Sequence, residues 1–394
     1  MKRRPTRRVF VIVGIGGLLI LAGGTAQAGW LFVLAAGVLG LAAGSFVVRH
    51  RMSALEVTRD VPRRARVGDA VRAGLTMRNG SRRAVPLFTV EDSFGAFPPV
   101  TVGSDRLGPG GEALVELVRT ASKRGRFESA PVILRSAAPF GLVRSSRTLD
   151  VGSVVTVVPS WVDLRSFPIL EPSSSPNDVL HERARTGAGE EFLGVREFRP
   201  GDPLRSVHWR STARVGALVV REFEEEISSR VGVVLAGPDH GSGPDSSFEM
   251  LVSSVASIGM YALATGHPMT VARHSAEGVE ELDQPSRHDL LDWLAVAPAL
   301  DGSLEPLVEI ALTRIGRRGT IVICSSTAGI AGASLGAAIG RIQRSGARAV
   351  LVAAQASTWE PEATEHPIPA GAGGTRVSHR ILERGRELRS CLAG

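Results

Sequence analysis

The distribution of apolar positions divides the chain into three regimes. The first fifty residues hold two apolar runs, 9–24 and 29–48, without a single charge. About 20 helical residues cross a ~30 Å hydrocarbon core. The pattern therefore predicts a transmembrane helical hairpin, with spans of about 9–27 and 29–48, joined by a short neutral turn. Trp30 suits the membrane interface. Gly14, Gly16, Gly17, Gly37, Gly40 and Gly44 allow close helix contact, and Gly40 with Gly44 forms a GxxxG pair.

From about 53 to 160 the period changes to two. Val71, Ala73, Leu75 and Met77 alternate with Arg72, Gly74, Thr76 and Arg78, as in a half-buried strand, and Asn79-Gly80 follows as a turn. Residues 87–90, 113–120, 132–134 and 154–158 are further strands, and turns are expected at Pro98-Pro99, 108–111 and 139–141. Short strands with Gly/Pro punctuation predict a small β-sandwich. Beyond residue 227, strand-length apolar runs (231–236, 269–272, 320–324, 349–353) alternate with helical periods (248–265, 289–296, 304–315, 335–344). That order predicts a parallel sheet covered on both faces. A Pro/Gly-rich stretch, 361–374, precedes a charged end, 377–392, compatible with a surface helix.

Charge refines this picture. The net charge is +7, and residues 1–51 account for it with Lys2, Arg3, Arg4, Arg7, Arg8, Arg49 and Arg51 and no acid. The remaining 39 basic residues balance 39 acidic ones. A neutral body argues against nucleic acid as a partner. Basic flanks on both sides of the hairpin place both ends in the cytoplasm. A cleaved signal peptide, suggested by Ala26-Gln27-Ala28, is the alternative, but the second apolar span follows at once. Cys324 and Cys391 are the two cysteines, and no CxxC or Cys/His cluster offers a structural zinc site.

The densest chemistry lies in 187–226. There Glu191, Phe192, Arg196, Glu197, Gly201, Asp202, Arg205, His208, Trp209, Arg214, Arg221 and Glu222 fall among eight acids and six arginines. Asp202-Pro203 predicts a helix start and Gly216 its end. Arg205 and Trp209, four apart, suit a cation–π contact, and 217–223 reads as a strand. Exposed ion pairs contribute only ~0–1 kcal/mol each. A partner-binding face anchored by Arg and Trp therefore suits this composition better than stability alone. The enzymatic alternative makes His208 a base oriented by Asp202 or a glutamate, with arginines holding an anion.

This segment resembles the signature of the bacterial domain-of-unknown-function family 58. Arg124-Gly125-Arg126-Phe127 and Pro139-Phe140-Gly141-Leu142 are similar to further landmarks of that family. The resemblance implies a multidomain α+β protein of an actinobacterial type. Its parts are a transmembrane hairpin (1–51), a β-sandwich-like domain (52–160), the signature segment (161–229), a von Willebrand factor A-like, Rossmann-type α/β domain (230–355) and a tail (356–394). Such α/β domains often hold a divalent ion through Asp-x-Ser-x-Ser after the first strand and a later Asp. Here those positions carry Ala236, Pro238 and His240, then Ser325 and Ser326, which leaves a hard cation too few oxygen ligands. Asp239 and Asp245 lie nearby but off the pattern. The expectation is a degenerate metal site and no cofactor. Family members commonly show Asp at the position of His208, which weakens the enzymatic alternative. The resemblance further implies a MoxR-type AAA+ ATPase, and in some cases a transglutaminase-like membrane protein, as partners of a membrane-anchored adaptor or assembly factor. A structural scaffold for the cell envelope is the other non-enzymatic alternative.

Overall fold

A computed structural model of the chain describes residues 2–47, 52–95, 97–137, 140–167, 191–199, 202, 206–224, 230–316, 319–369 and 377–393. The protein is mixed α+β, with two apolar helices followed by several sheets. It divides into two compact units, Met1–Ser160 with Leu291–Val296, and Trp161–Leu290 with Ala297–Gly394.

The first unit opens with a strand that the periodicity did not predict, β1 (Lys2–Pro5). Helices α1 (Arg7–Ala26) and α2 (Gly29–Val47) follow, both long and apolar enough to cross a membrane. The turn between them passes through Gln27 at φ 47°, and Ala28 N–H donates to the Gly23 carbonyl at 3.3 Å. The helices approach closely at Gly16 and Gly23. A Cβ on Gly16 would lie 2.6 Å from Leu39 Cδ2, and one on Gly23 would lie 3.2 Å from Leu31 Cβ. The expected contact at Gly40 and Gly44 is not made, because nothing lies within 4 Å of where their Cβ atoms would be. That pair faces away from α1. Phe10, Leu18, Leu21, Trp30 and Val33 point outward.

The strands of this unit are β2 (Leu55–Asp60), β3 (Arg64–Arg66), β4 (Ala70–Asn79), β5 (Phe88–Phe94), β6 (Phe97–Ser104), β7 (Glu112–Thr120), β8 (Gly125–Glu128), β9 (Val132–Ser136), β10 (Val143–Leu149) and β11 (Val154–Val158). They form sheets in the orders β1-β10-β9-β5-β6, β2-β4-β7 and β3-β11-β8. Leu75, Met77 and Leu117 from the second sheet share one core with Val90, Val132 and Leu134 from the first. Pro98 and Pro99, expected in a turn, lie instead within β6. That strand is a sheet edge, where the missing N–H donors are tolerated. The stretch 124–127, which the alternation did not mark as a strand, contributes to β8. Its Gly125 has φ 145° and sits against the Phe127 ring, where a Cβ would approach to 2.9 Å. A charged group crosses the core. Asp92 of β5 accepts from Arg59 of β2 and Arg119 of β7, each at 2.5 Å, with all three side chains almost fully buried.

The second unit contains β12 (Glu191–Glu197), α3 (Trp209–Val215), β13 (Val219–Glu224), β14 (Val231–Ala236), α4 (Ser247–Ala264), β15 (Met269–Ser275) and β16 (Gly278–Asp283). It continues with the start of α5 (Arg287–Ala295), whose residues from Leu291 onward group with the first unit, and then α6 (Glu305–Ile315), β17 (Thr320–Ser326), α7 (Gly329–Ser345), β18 (Arg348–Ala354), β19 (Ser378–Leu382) and α8 (Leu388–Ala393). Six strands form one sheet, β16-β15-β14-β17-β18-β19, parallel throughout except for β16 at one edge. Val234, Ala236, Ile321, Ile323, Leu351 and Ala353 join α6 and α7 in one core. Because side chains alternate along a strand, Val233, Leu235, Val322 and Cys324 face the other side, and Met269 there meets Gly259 of α4. Helix α4 is as long and apolar as a membrane span, yet it is mostly buried and packs on β14, β15, β17 and β18.

The end of the chain differs from the expectation of a separate tail and surface helix. Ser378–Leu382 is a parallel edge strand of this sheet, and only Leu388–Ala393 is helical at the end. An edge strand exposes half its surface, so its polar residues concealed it from an apolar-run reading.

Candidate functional site

The signature segment folds as a two-stranded antiparallel ribbon closed by a short helix. Strand β12 pairs with β13 in the register Arg196↔Val220 and Glu197↔Val219, with a bulge between Phe192 and Gly194. Glu191 and Phe192 stand opposite Glu224 and Phe223, Gly194 opposite Glu222, and Val195 opposite Arg221. Val207, Val219 and Val220 are buried, and Val207 bridges to Val220. The β-branched pair Val219-Val220 thus supplies both the strand propensity and the small apolar centre on which the connection folds.

Asp202 is held by β12, and residues 203–205, where the expected helix would begin, lie outside the described residues. Arg196 donates to both carboxylate oxygens of Asp202, at 2.7 Å and 2.9 Å, and Arg199 N–H donates at 2.8 Å. The Arg196 hydrogen bonds, and after them the Arg199 amide, hold the carboxyl at about 2, below the ordinary 3.8. The pair fastens the start of the connection to β12. An α-helix begins at Trp209, with His208 as its cap, six residues after Asp202. The His208 Nδ1 accepts from Ser211 N–H at 3.3 Å and lies 2.7 Å from Ser211 Oγ. Gly216 ends the helix at φ 75°, as expected. Thr212 Oγ1 then accepts from Val219 N–H at 3.0 Å and ties the helix to β13.

The twelve predicted residues are therefore distributed unevenly. Arg196 and Asp202 are in direct contact; His208 and Trp209 are neighbours at the helix start; Arg214 is exposed in the last helical turn. Glu197 is exposed on β12. Glu191, Phe192, Arg221 and Glu222 lie on the ribbon by register. Gly201 and Arg205 lie outside the described residues, and with Arg205 the expected cation–π contact to Trp209. Asp202, committed to Arg196 and Arg199, does not orient His208. Ser211 and Thr212, which fix His208 and the ribbon, were missed, because hydroxyls facing their own helix leave no periodic signal.

Four large apolar side chains are exposed here beside Glu197, Arg210 and Arg214. Trp209 is 66% exposed, Val215 62%, Val195 46% and Leu218 40%. They come from β12, α3 and the turn before β13.

The second candidate region is the carboxyl rim of the six-stranded sheet, where the crossovers from β14 and β17 diverge. Open α/β sheets bind ligands at such a switch point. Here the crevice is tight, since a Cβ on Gly237 would lie 2.9 Å from Ser326 N. Asp239 Oδ1 accepts from Phe248 N–H at 3.1 Å, and Asp245 Oδ2 accepts from Arg384 Nε at 2.9 Å. Asp301 accepts from Ile330 and Ala331 N–H at 2.8 Å and 3.0 Å, which caps α7. His240 Nδ1 lies 2.8 Å from Glu360 Oε2. Each nearby carboxylate thus has a protein partner. Among the described residues no group of three or more His, Cys, Asp or Glu side chains is placed to hold a metal ion.

Residues 194–325 match the family described as "Protein of unknown function DUF58". The uncharacterized protein YeaD of Bacillus subtilis (strain 168) is 25% identical over 210 residues, covering 51% of this chain and 49% of that protein. The chain thus spans about half the length of the curated relative it matches. Among solved structures, the CARDB domain of PF1109 from Pyrococcus furiosus is similar in its solution form, at 14% identity, 25% of this chain, 95% of that chain and TM-score 0.18. Its crystal form with di-metal ions shows 18% identity, 26% and 87% coverage and TM-score 0.20. TM-scores of this size carry no statement about fold or function.

Proposed function

We propose, because this chain belongs to the DUF58 family through residues 194–325, that it is a membrane-anchored protein-interaction module whose docking face is the signature segment. The observation that carries this reading is Trp209, 66% exposed beside His208, with Val195, Val215 and Leu218 also in solvent. Tryptophan and arginine dominate the energetics of protein interfaces. The Arg196–Asp202 pair and the Thr212–Val219 tie hold this face in one shape before binding, which reduces the ordering cost of association.

In this reading α1 and α2 are the anchor, and both ends of the hairpin face the cytoplasm. Basic residues outside both spans support that orientation. So does the pairing of β1 with β10, which requires residues 2–5 and the β-sandwich to lie on one side. The six-stranded sheet is a von Willebrand factor A-like platform that binds protein without a metal, as the capped and ion-paired carboxylates at its rim suggest. The partner is a MoxR-type AAA+ ATPase, and in some assemblies a transglutaminase-like membrane protein, on the strength of the family resemblance. The module turns nothing over: His208 serves as a helix cap rather than a base.

The experiment is a photo-crosslinking amino acid at position 209 of the full-length chain in its own cells. An adduct with an AAA+ ATPase, kept in the His208→Ala protein, is the expected result. Adducts confined to structural envelope proteins would replace the adaptor with a scaffold. Loss of the ATPase adduct together with an associated activity in His208→Ala would restore the enzymatic alternative.

A further inference from the structure

The entry of the chain into α1 carries an electrostatic conflict. Strand β1 is antiparallel to β10 with Arg4 directly opposite Arg144. Directly opposed residues project from the same face of a sheet, and like charges placed so destabilise the pair. Both side chains are exposed. A third arginine, Arg8, reaches back over the turn before β10, its Nη1 3.2 Å from where Gly141 would carry a Cβ. Thr6 fixes this arrangement. Its N–H donates to the Leu142 carbonyl at 2.9 Å, and its hydroxyl lies 2.9 Å and 3.0 Å from the carbonyls of Gly141 and Leu142. Among the described residues none of Arg4, Arg8 and Arg144 has a carboxylate partner. Residues 1–51 contain no acid at all.

A protein that pairs these arginines across two strands, rather than a carboxylate with an arginine as Arg135 and Glu91 are paired elsewhere in the same sheet, has an anion to place between them. The location identifies it. The cluster lies at the start of a helix that is uncharged beyond Arg8 and long enough to cross a membrane, at the depth of lipid headgroups. We infer that Arg4, Arg8 and Arg144 form a clamp for the phosphate of an anionic phospholipid, and that bound lipid relieves the repulsion across β1 and β10. The inference rests on the reading of α1 and α2 as a bilayer anchor. The clamp would fix the β-sandwich to the membrane surface through the sheet itself, in addition to the linker after α2.

Lipid retained by the full-length chain, taken from bilayers of phosphatidylcholine mixed with phosphatidylglycerol and counted by native mass spectrometry, tests this. The unaltered chain is expected to retain phosphatidylglycerol preferentially. Each basic group at an anionic surface contributes about fivefold, so Arg4→Gln with Arg144→Gln is expected to lower the preference by about 25-fold. The corresponding Lys pair keeps most of it. Arg72→Gln, exposed on β4, leaves it unchanged. A chain with no preference, or a double Gln variant that keeps the full preference, overturns the clamp. Vesicle flotation separates the two readings. A chain that floats with both lipids and prefers neither retains its anchor and loses the clamp; one that floats with neither loses both.

Discussion

Replacing Asp92 by Asn in the core of the β-sandwich isolates the energetics of its buried charge. The substitution keeps the shape of the side chain and removes its charge. Asp92 is the acceptor between Arg59 and Arg119, and the three side chains are at most 3% exposed. The loss falls unequally on the two arginines. Arg59 also donates to the carbonyls of Val151 at 2.7 Å and Ala130 at 3.1 Å and lies 5.6 Å from the centre of the Phe94 ring. Arg119 has Asp92 as its partner, and the Nε of both arginines is buried without one. Breaking a buried pair by removing one member costs about 3–5 kcal/mol, because a charge is left uncompensated. That is a large share of the ~5–15 kcal/mol that holds a typical domain folded. A chain of two units and a hairpin does not unfold in one step. The assay is therefore hydrogen exchange at the amides of β4 and β5, compared with those of β14 and β17. Protection in the sandwich is expected to fall roughly a hundred- to a few-thousand-fold, with the second unit unchanged. Adding Arg119→Leu to Asp92→Asn should recover most of the loss, and adding Arg59→Leu should recover less. A fall of under about tenfold, or equal rescue by either arginine, would refute the account.

Two further outcomes follow from local geometry. The Asp202 carboxyl, held at about 2 against an ordinary 3.8, contributes to the ribbon fully above the higher value. That contribution is lost as pH falls towards the lower one. Carbon-detected NMR of the carboxyl should show titration near 2, and Arg196→Gln should move it back towards 3.8; titration near 3.8 in the unaltered chain would refute the Arg196–Asp202 pairing. Gly237→Ala and Gly278→Ala meet nearly the same backbone, φ 133° and 134°. Only the first brings a Cβ within 2.9 Å of Ser326, while the second opens onto free space. Both should lose about 1–3 kcal/mol to strain, and thermal melts should rank Gly237→Ala distinctly lower. Equal melting temperatures would show that Ser326 gives way freely.

How much of this was legible in the chain depends on where each signal lives. Val231–Ala236 and Thr320–Ser326 are buried on both faces, so their apolar runs announce them and the helices between them announce a parallel sheet. Ser378–Leu382 belongs to the same sheet but covers one edge, and its His and Arg resemble a surface segment. Gly125–Glu128 is four residues long, too short for alternation to register. At the signature, Asp202-Pro203 has the local form of a helix start. The contact of Asp202 with Arg196, six residues earlier on β12, and the cap that His208 supplies to Trp209–Val215 are not local signals. The charged and aromatic residues of the segment stood out in composition. The exposure of Val195, Val215 and Leu218 did not, because a strand or helix of the same sequence would as readily bury them.

Helix α4 has a consequence for the way the chain is made. Its eighteen residues satisfy the length and apolarity of a membrane span, and they leave the ribosome after the two other candidates, α1 and α2, have been presented to any insertion machinery. To that machinery it is a third candidate. What distinguishes it is a row of serines, Ser247, Ser253, Ser254 and Ser257, with Glu249 in the first turn. In the folded unit Ser254 and Ser257 satisfy their hydroxyls on carbonyls of the preceding turn, and Ser257 also accepts from Val162 N–H. Together with Glu249 the serines leave this helix less apolar than α1 and α2, with mean hydropathy 1.3 against 2.3 and 1.8. A segment sandwiched between strands must be greasy enough to fill its place and polar enough to be let go. Each serine exchanged for leucine there would tilt a race between partition and folding, and the losing product would be a protein threaded the wrong way through its membrane.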